Sequence, residues 1–287
     1  IPPIFENLWE HYQSLGWGSM AARDKDSGEQ FPFLLLHALC EPLFGANPSF
    51  MMYSGFGVPM AMMIEDYGDD YLKNTYYEPL INTQWCGCFC VTEPNAGSDV
   101  GGIQTKAKRI EGNRYSIEGE KIFITAGMHQ LTDNMVYLVV ARTADKTTGT
   151  TGLSTFIVPK FKIDRDGDQS ISNHVTCSRV EDKMGLHGCA TTALSFGEDG
   201  MCEGYLLGKE NRGLFQLRNL MNMARVSTGL FGLGMASSAY LNAAHYAAER
   251  VQGALSSQSA NRQAEKTHII NHYDVKRMLM DMKSKVE

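Results

Sequence analysis

Phe89-Cys90-Val91-Thr92-Glu93-Pro94-Asn95-Ala96-Gly97-Ser98-Asp99-Val100 is where the texture of the chain changes. It reads as a strand ending in a hydroxyl, then a turn of small residues with several free amides. Successive backbone N–H groups together with Ser98 make a concavity that suits phosphate oxygens, although such turns also occur in ordinary loops. Before this stretch, residues 1–88 read as helical, with apolar residues three and four apart. Pro32 ahead of Phe33-Leu34-Leu35-Leu36 suits a first helical turn. Gly45 to Pro48 breaks that helix, and a Met-rich helix ends near Tyr67-Gly68. After the stretch, to about residue 202, the pattern is short strands. Tyr115 to Ile117 and Lys121 to Thr125 read as two arms about a turn at Glu118-Gly119. Val136 to Val140 is a buried run, and Leu153 to Val158 is stopped by Pro159. Turns are expected at 111–113, 145–152 and 164–168. Strands at this spacing without intervening helices predict an antiparallel barrel or sandwich, not a doubly wound sheet.

From about residue 211 helix returns and runs to about Gln252. A polar loop from Gly253 to Lys266 leads to a last helix opening at His272. The long helix carries Gly229, Gly232 and Gly234, and each costs about 1 kcal/mol against alanine. Close packing or a ligand against the backbone would explain them. The order of elements is α+β with segregated parts. It divides into an N-terminal helical domain (1–88), a middle β domain (89–202) and the first helices of a C-terminal bundle (203–287). A dinucleotide fold is excluded, since Gly55-x-Gly57 runs into Pro59 and Gly232-x-Gly234 lies inside a helix.

Composition narrows the function classes. Among 287 residues, 43% are hydrophobic and 20% charged, as in a globular protein rather than a disordered one. A net charge of −6 without a basic run excludes a nucleic-acid binder. No run approaches about 18 apolar residues, so no membrane span is expected. The start, Ile1-Pro2-Pro3-Ile4, has no signal design, and the length suggests a piece of something longer. Of seven cysteines, Cys86, Cys88 and Cys90 alternate on one strand face without metal-ligand spacing. They read as small buried side chains in a reducing compartment, with no metal site.

Gly119-Glu120-Lys121-Ile122-Phe123-Ile124-Thr125-Ala126-Gly127 sets an aromatic and a hydroxyl two residues apart on one strand face. The pair suits a flat heterocycle, and it equally suits an ordinary strand. Thr92 to Asp99, Thr105-Lys106-Ala107 and Gly119 to Thr125, in this order and spacing, together resemble the acyl-CoA dehydrogenase family. Asp182-Lys183-Met184-Gly185, Leu206-Leu207-Gly208 and Ala224-Arg225 extend the likeness to the chain end. The resemblance implies helical, β and helical-bundle domains, FAD as cofactor, and α,β-desaturation of an acyl-CoA thioester. By match to the motifs, the backbone of Phe89, Cys90 and Val91 and the Thr92 hydroxyl would meet the pyrimidine end of the flavin. Ser98 would meet the pyrophosphate, Phe123 (where the family usually has Trp) would pack on the ring, and Thr125 would face N5. Ser98, His187, Asn222 and Arg225 would line the substrate side.

The resemblance implies further that the general base, a Glu of the C-terminal bundle, lies beyond Glu287, because the alternative position before Arg225 is Ala224. Glu203, Glu210, Glu249 and Glu265 match no base position and read as solvated surface charges. Lys183 to Gly188 and Met221 to Val226 are similar to the bacterial branch of larger enzymes like 3-methylmercaptopropionyl-CoA dehydrogenase. The implied partners are an acyl-CoA substrate (fatty acyl or methylthiopropanoyl-like), an electron-transfer flavoprotein or similar acceptor, and further copies in a homodimer or homotetramer. The implied location is the bacterial cytoplasm, or the mitochondrial matrix in a eukaryote. Two alternatives remain: a related flavoprotein with an oxidase or damage-response role, and a truncated non-catalytic homologue acting as a binding partner.

Overall fold

Apolar residues spaced three and four apart do build helices at the start of the chain. In α1 (Ile4–Ser14), Phe5 and Trp9 stand one turn apart and are buried. A computed structural model describes residues 1–21, 32–143, 149–163, 167, 169–258, 260–261 and 263–287. After Pro32 comes α2 (Phe33–Ala46), then α3 (Pro48–Ser54) and α4 (Gly57–Tyr67). The Asp69 carboxylate accepts from Leu72 N at 2.9 Å and starts α5 (Asp70–Leu72). A π-helical stretch, Lys73–Tyr77, joins it to α6 (Glu78–Ile81).

The sheet begins before the expected boundary, with β1 (Trp85–Cys90). It continues through β2 (Lys106–Glu111), β3 (Arg114–Ile124), β4 (Asn134–Arg142) and β5 (Leu153–Pro159). A small ribbon, β6 (Phe161–Lys162) with β7 (Ile171–Ser172), stands apart. The sheet resumes with β8 (Val175–Val180), β9 (Thr192–Phe196) and β10 (Cys202–Leu206). Strand order is β1-β4-β5-β10-β3-β9-β8, with β2 pairing both β3 and β4. Antiparallel pairing dominates, as the short strands predict. β1 is the addition: it pairs parallel to β4, which the chain between them, crossing through β2 and β3, makes possible.

β4 shows why the sheet is buried on both faces. Val136, Leu138 and Val140 join Met60, Ile64 and Leu80 of the helices in one core. Met135, Tyr137, Val139 and Ala141 join Cys88, Cys90, Tyr115, Ile117 and Phe156 in another. All seven cysteines are free, and burial pushes the Cys86 thiol up to about 12.

Two local expectations need correction. Glu118-Gly119 is no turn; β3 runs unbroken across it, and the hairpin turn lies at Gly112-Asn113. Gly119 is required instead by close approach, with φ at +154° and Thr105 Cα 2.8 Å from where a Cβ would stand. Of the three glycines singled out in α7 (Gly213–Glu249), only Gly234 is tightly packed: a Cβ there would lie 3.0 Å from Gly45 N. Gly229 and Gly232 face open space. The turns expected at 145–148, 164–166 and 168 lie outside the described residues.

The chain forms two compact units, residues 1–36 with 49–225, and residues 37–48 with 226–287. The second unit holds most of α7 and α8 (Tyr273–Val286). Within it Phe44 meets Phe231 edge-on at 5.7 Å, and Ser237 Oγ donates to Glu41 Oε1 at 2.7 Å. Among the described residues no helix is long and apolar enough to cross a membrane.

Candidate functional site

β3 is regular as far as Lys121 and then departs from its partner. Its register against β9 shifts between Lys121 and Ile124. Inside that bulge Phe123 takes φ of +60° and stays 58% exposed. A bulky residue in the left-handed region is strained, and such strain collects at functional sites. Ala126 follows at φ +51°, so Thr125, half-buried, lies between two left-handed residues. The bulge thus aims an aromatic face outward beside a hydroxyl.

The turn after β1 is fastened to this bulge. Ile122 N donates to Thr92 O at 2.9 Å, and Lys121 Nζ donates to Val91 O at 3.0 Å. Lys121 also pairs with Glu93 Oε1 at 2.8 Å, with side chains 0% and 6% exposed. Glu93 accepts in addition from Gln104 N at 2.6 Å, Thr105 N at 3.0 Å and Thr105 Oγ1 at 2.5 Å. Burial alone would raise the Glu93 carboxyl. The Lys121 charge and the hydrogen bonds from Lys121, Thr105 and Gln104 outweigh it and hold the group below the usual carboxylate range. Burial draws the Lys121 ammonium down, against the pull of Glu93.

The far end of the bulge is fastened to a third segment. Gly127 N donates to Ala190 O at 3.1 Å, and Cys88 Sγ lies 3.2 Å from Ala126 O. Tyr53 OH donates to Gly188 O and accepts from Ala190 N, both at 2.9 Å. Lys183 Nζ closes the loop on Cys189 O at 2.5 Å and Thr191 Oγ1 at 2.9 Å.

Of the residues singled out in the sequence, Val91, Thr92, Phe123 and Thr125 are brought to one place by these bonds. Phe89 turns its ring toward Phe56, 5.8 Å away, and Cys90 is fully buried, so either could contribute only backbone there. Ser98 is exposed in the turn, and a Cβ on the neighbouring Gly97 would meet nothing within 4 Å. His187 is exposed on the loop that Tyr53 and Lys183 hold. Asn222 and Arg225 are exposed one turn apart on α7, Arg225 Nη1 donating to Asn222 Oδ1 at 2.9 Å. Among the described residues no hydrogen bond ties them to the bulge.

Two of the four glutamates are not free surface charges. Glu203, 13% exposed, pairs with Lys162 at 2.7 Å and Arg114 at 2.9 Å. Glu210 pairs with Arg109 at 2.6 Å and also binds Tyr115 OH. Glu249 and Glu265 are exposed as expected. Sequence reasoning missed Glu93, Lys121, Thr105 and Tyr53. For Lys121 a signal existed: Tyr115, Ile117 and Lys121 share one face of an unbroken strand, which puts a cation in a core position where it must be paired.

This arrangement is an exposed aromatic beside a hydroxyl, with backbone amides and an open small-residue turn close by. It fits a flat ring bearing hydrogen-bond acceptors and a phosphate-bearing tail. Residues 88–198 match the family model for the acyl-CoA dehydrogenase middle domain. Over its full length the chain is 35% identical to a butyryl-CoA dehydrogenase of Syntrophomonas wolfei, covering 47% of that protein. It is 33% identical to a 3-methylmercaptopropionyl-CoA dehydrogenase of Ruegeria pomeroyi, covering 48% of it. The structure of butyryl-CoA dehydrogenase from Megasphaera elsdenii superposes with a TM-score of 0.79 at 25% identity, over 98% of this chain and 67% of that one. The chain thus spans about half the length of the curated relatives it matches.

Proposed function

Because the chain belongs to the acyl-CoA dehydrogenase family, we propose that it carries the FAD cradle of an enzyme that desaturates acyl-CoA thioesters between the α and β carbons. The observation that supports this most is Phe123, strained to a positive φ and more than half exposed next to Thr125. Among the described residues Phe123 belongs to neither core of the sheet, and a ring stacked on it would account for an aromatic there. The open turn at Gly97 and Ser98 leaves room for a pyrophosphate on backbone amides and a hydroxyl. When bound, FAD supplies the acceptor for the hydride leaving the β carbon.

The chain's own residues have five tasks in this reading. Phe123 packs on the ring and Thr125 donates a hydrogen bond at its N5 edge. The amides and carbonyls of Phe89 to Thr92 meet the pyrimidine end. Ser98 holds phosphate, and His187, Asn222 and Arg225 border the acyl-CoA. The base that takes the α proton is a carboxylate from outside residues 1–287. Fatty acyl and methylthiopropanoyl-like thioesters are the substrate classes, an electron-transfer flavoprotein the acceptor, and a homodimer or homotetramer the assembly. The three-part division into helical, β and bundle domains, and a bacterial cytoplasmic or mitochondrial matrix location, complete the reading.

The test is anaerobic titration of the full-length polypeptide with butyryl-CoA. We expect a yellow protein whose flavin absorbance is bleached by the thioester. A full-length protein that binds no flavin sinks the proposal, and a flavoprotein that no acyl-CoA bleaches sinks its substrate half.

A further inference from the structure

Among the described residues one charged group is fully buried and takes no part in that mechanism, the ammonium of Lys121. Its position relative to the turn after β1 is specific. Lys121 Nζ bonds Val91 O at 3.0 Å, and that carbonyl belongs to the same peptide group as the Thr92 N–H. On the next peptide, Thr92 O is held by Ile122 N at 2.9 Å, one residue before the exposed Phe123. The Thr92 amide itself donates to no acceptor among the described residues, so it is free to meet a ligand. A cation on the carbonyl oxygen of a peptide polarises it and makes its N–H a stronger donor. With the side chain 0% exposed, water does not screen that effect.

We propose that Lys121 and Glu93 form a positioning pair that sets both the direction and the donor strength of the Thr92 amide, and through it the reduction potential of the bound flavin. The inference rests on the flavin reading above. Reduction of a flavin adds electron density toward its pyrimidine end, so a strong donor there favours the reduced form and a weak one the oxidised form. Lys121 supplies the polarising charge, and Glu93 moderates it while anchoring the amides of Gln104 and Thr105.

The two members of the pair therefore make opposite predictions, which a purely structural role would not. In full-length protein, Lys121→Met removes the cation and leaves the Glu93 anion, so the reduced form becomes harder to reach. Glu93→Gln keeps the shape and the cation, so it becomes easier to reach. Dye-coupled reductive titration reads the oxidised-to-reduced ratio at a fixed ambient potential. We expect it to rise about tenfold in Lys121→Met and to fall several-fold in Glu93→Gln, a tenfold change being 29.6 mV for a two-electron couple. Thr105→Val, which removes a hydrogen bond but no charge, should lower the melting temperature and leave the ratio unchanged. Shifts of the same sign in both charge variants, or no shift in Glu93→Gln, overturn the inference. Should Lys121→Met fail to fold, Glu93→Gln against Thr105→Val decides alone. A wild-type protein without flavin defeats the function proposal itself, a distinguishable failure.

Discussion

Glu93 and Glu203 are both glutamates paired to a lysine on the same sheet domain, and they do different work. Glu93 is 6% exposed and Lys121 0%, and three of the four hydrogen bonds that the Glu93 carboxylate accepts come from Thr105 and Gln104 at the loop it anchors. Glu203 is 13% exposed, but Lys162 and Arg114 are 27% and 41% exposed and line an open cleft of about 340 Å³ with Tyr71 and Tyr205. The first pair is inside the fold and defines where two segments meet. The second closes a surface over strands already joined through β10 and β3. Whether an ion pair organises a structure depends on what it excludes from water, not on its length.

Removing one partner of the interior pair should therefore have the largest effect. Lys121→Met leaves a buried carboxylate without its cation, and we expect a loss of about 3–5 kcal/mol in stability by denaturant titration. A loss under about 1 kcal/mol would erase the distinction between the two pairs. Protonation tests the same point. The folded Glu93 carboxyl titrates below its unfolded value, so its contribution is complete above about pH 4.3 and disappears as pH falls through the depressed folded value. Wild type should lose its stability advantage over Glu93→Gln as pH is lowered from about 6 to about 3. A constant gap across that range would mean that the Glu93 charge contributes nothing.

How much of this was legible beforehand depended on whether a residue's role is local. The segregated α+β order follows from periodicity, and β4 alternates so cleanly between two cores that its burial was evident from Val136 to Val140. The site motifs were visible as spaced hydroxyls and small residues. The bulge at Phe123 was not, because nothing in Ile122-Phe123-Ile124 signals a positive φ; it arises from how β3 meets β9. Glu93 carries no local signal, because its partners come from residues 11, 12 and 28 positions away. A turn at Gly119 would break the strand in two, and it conceals the step from Ile117 to Lys121 along one face.

The bulge allows a prediction of intermediate size, in which stability and binding move apart. Glycine tolerates φ of +60° without the steric cost that phenylalanine bears, and the exposed ring gives up little burial when removed. Phe123→Gly should leave the flavin-free protein as stable as wild type or up to about 1 kcal/mol more stable. The same change should lower FAD retention on gel filtration at least tenfold. If it lowers stability by more than about 1 kcal/mol, Phe123 is a packing residue and its exposure is incidental.

The smallest effect is expected at the surface pair, and it is the control for all the others. Burial would raise the Glu203 carboxyl, but hydrogen bonds from Lys162 and Arg114 with their charges bring it below the usual range. Because both cations keep contact with water, only part of that preference becomes stability. The Glu203 backbone is meanwhile clasped by the Asn173 side chain, its N–H donating to Oδ1 and its carbonyl accepting from Nδ2, each at 2.8 Å. These bonds survive substitution of the side chain. Glu203→Gln should therefore cost about 1 kcal/mol or less, and the cost should shrink further as salt is raised. Lys121→Met should stay as costly in high salt as in low, since ions cannot reach a fully buried pair. Equal salt sensitivity at the two sites would show that water reaches Lys121, and the interior position assigned to the pair would be wrong.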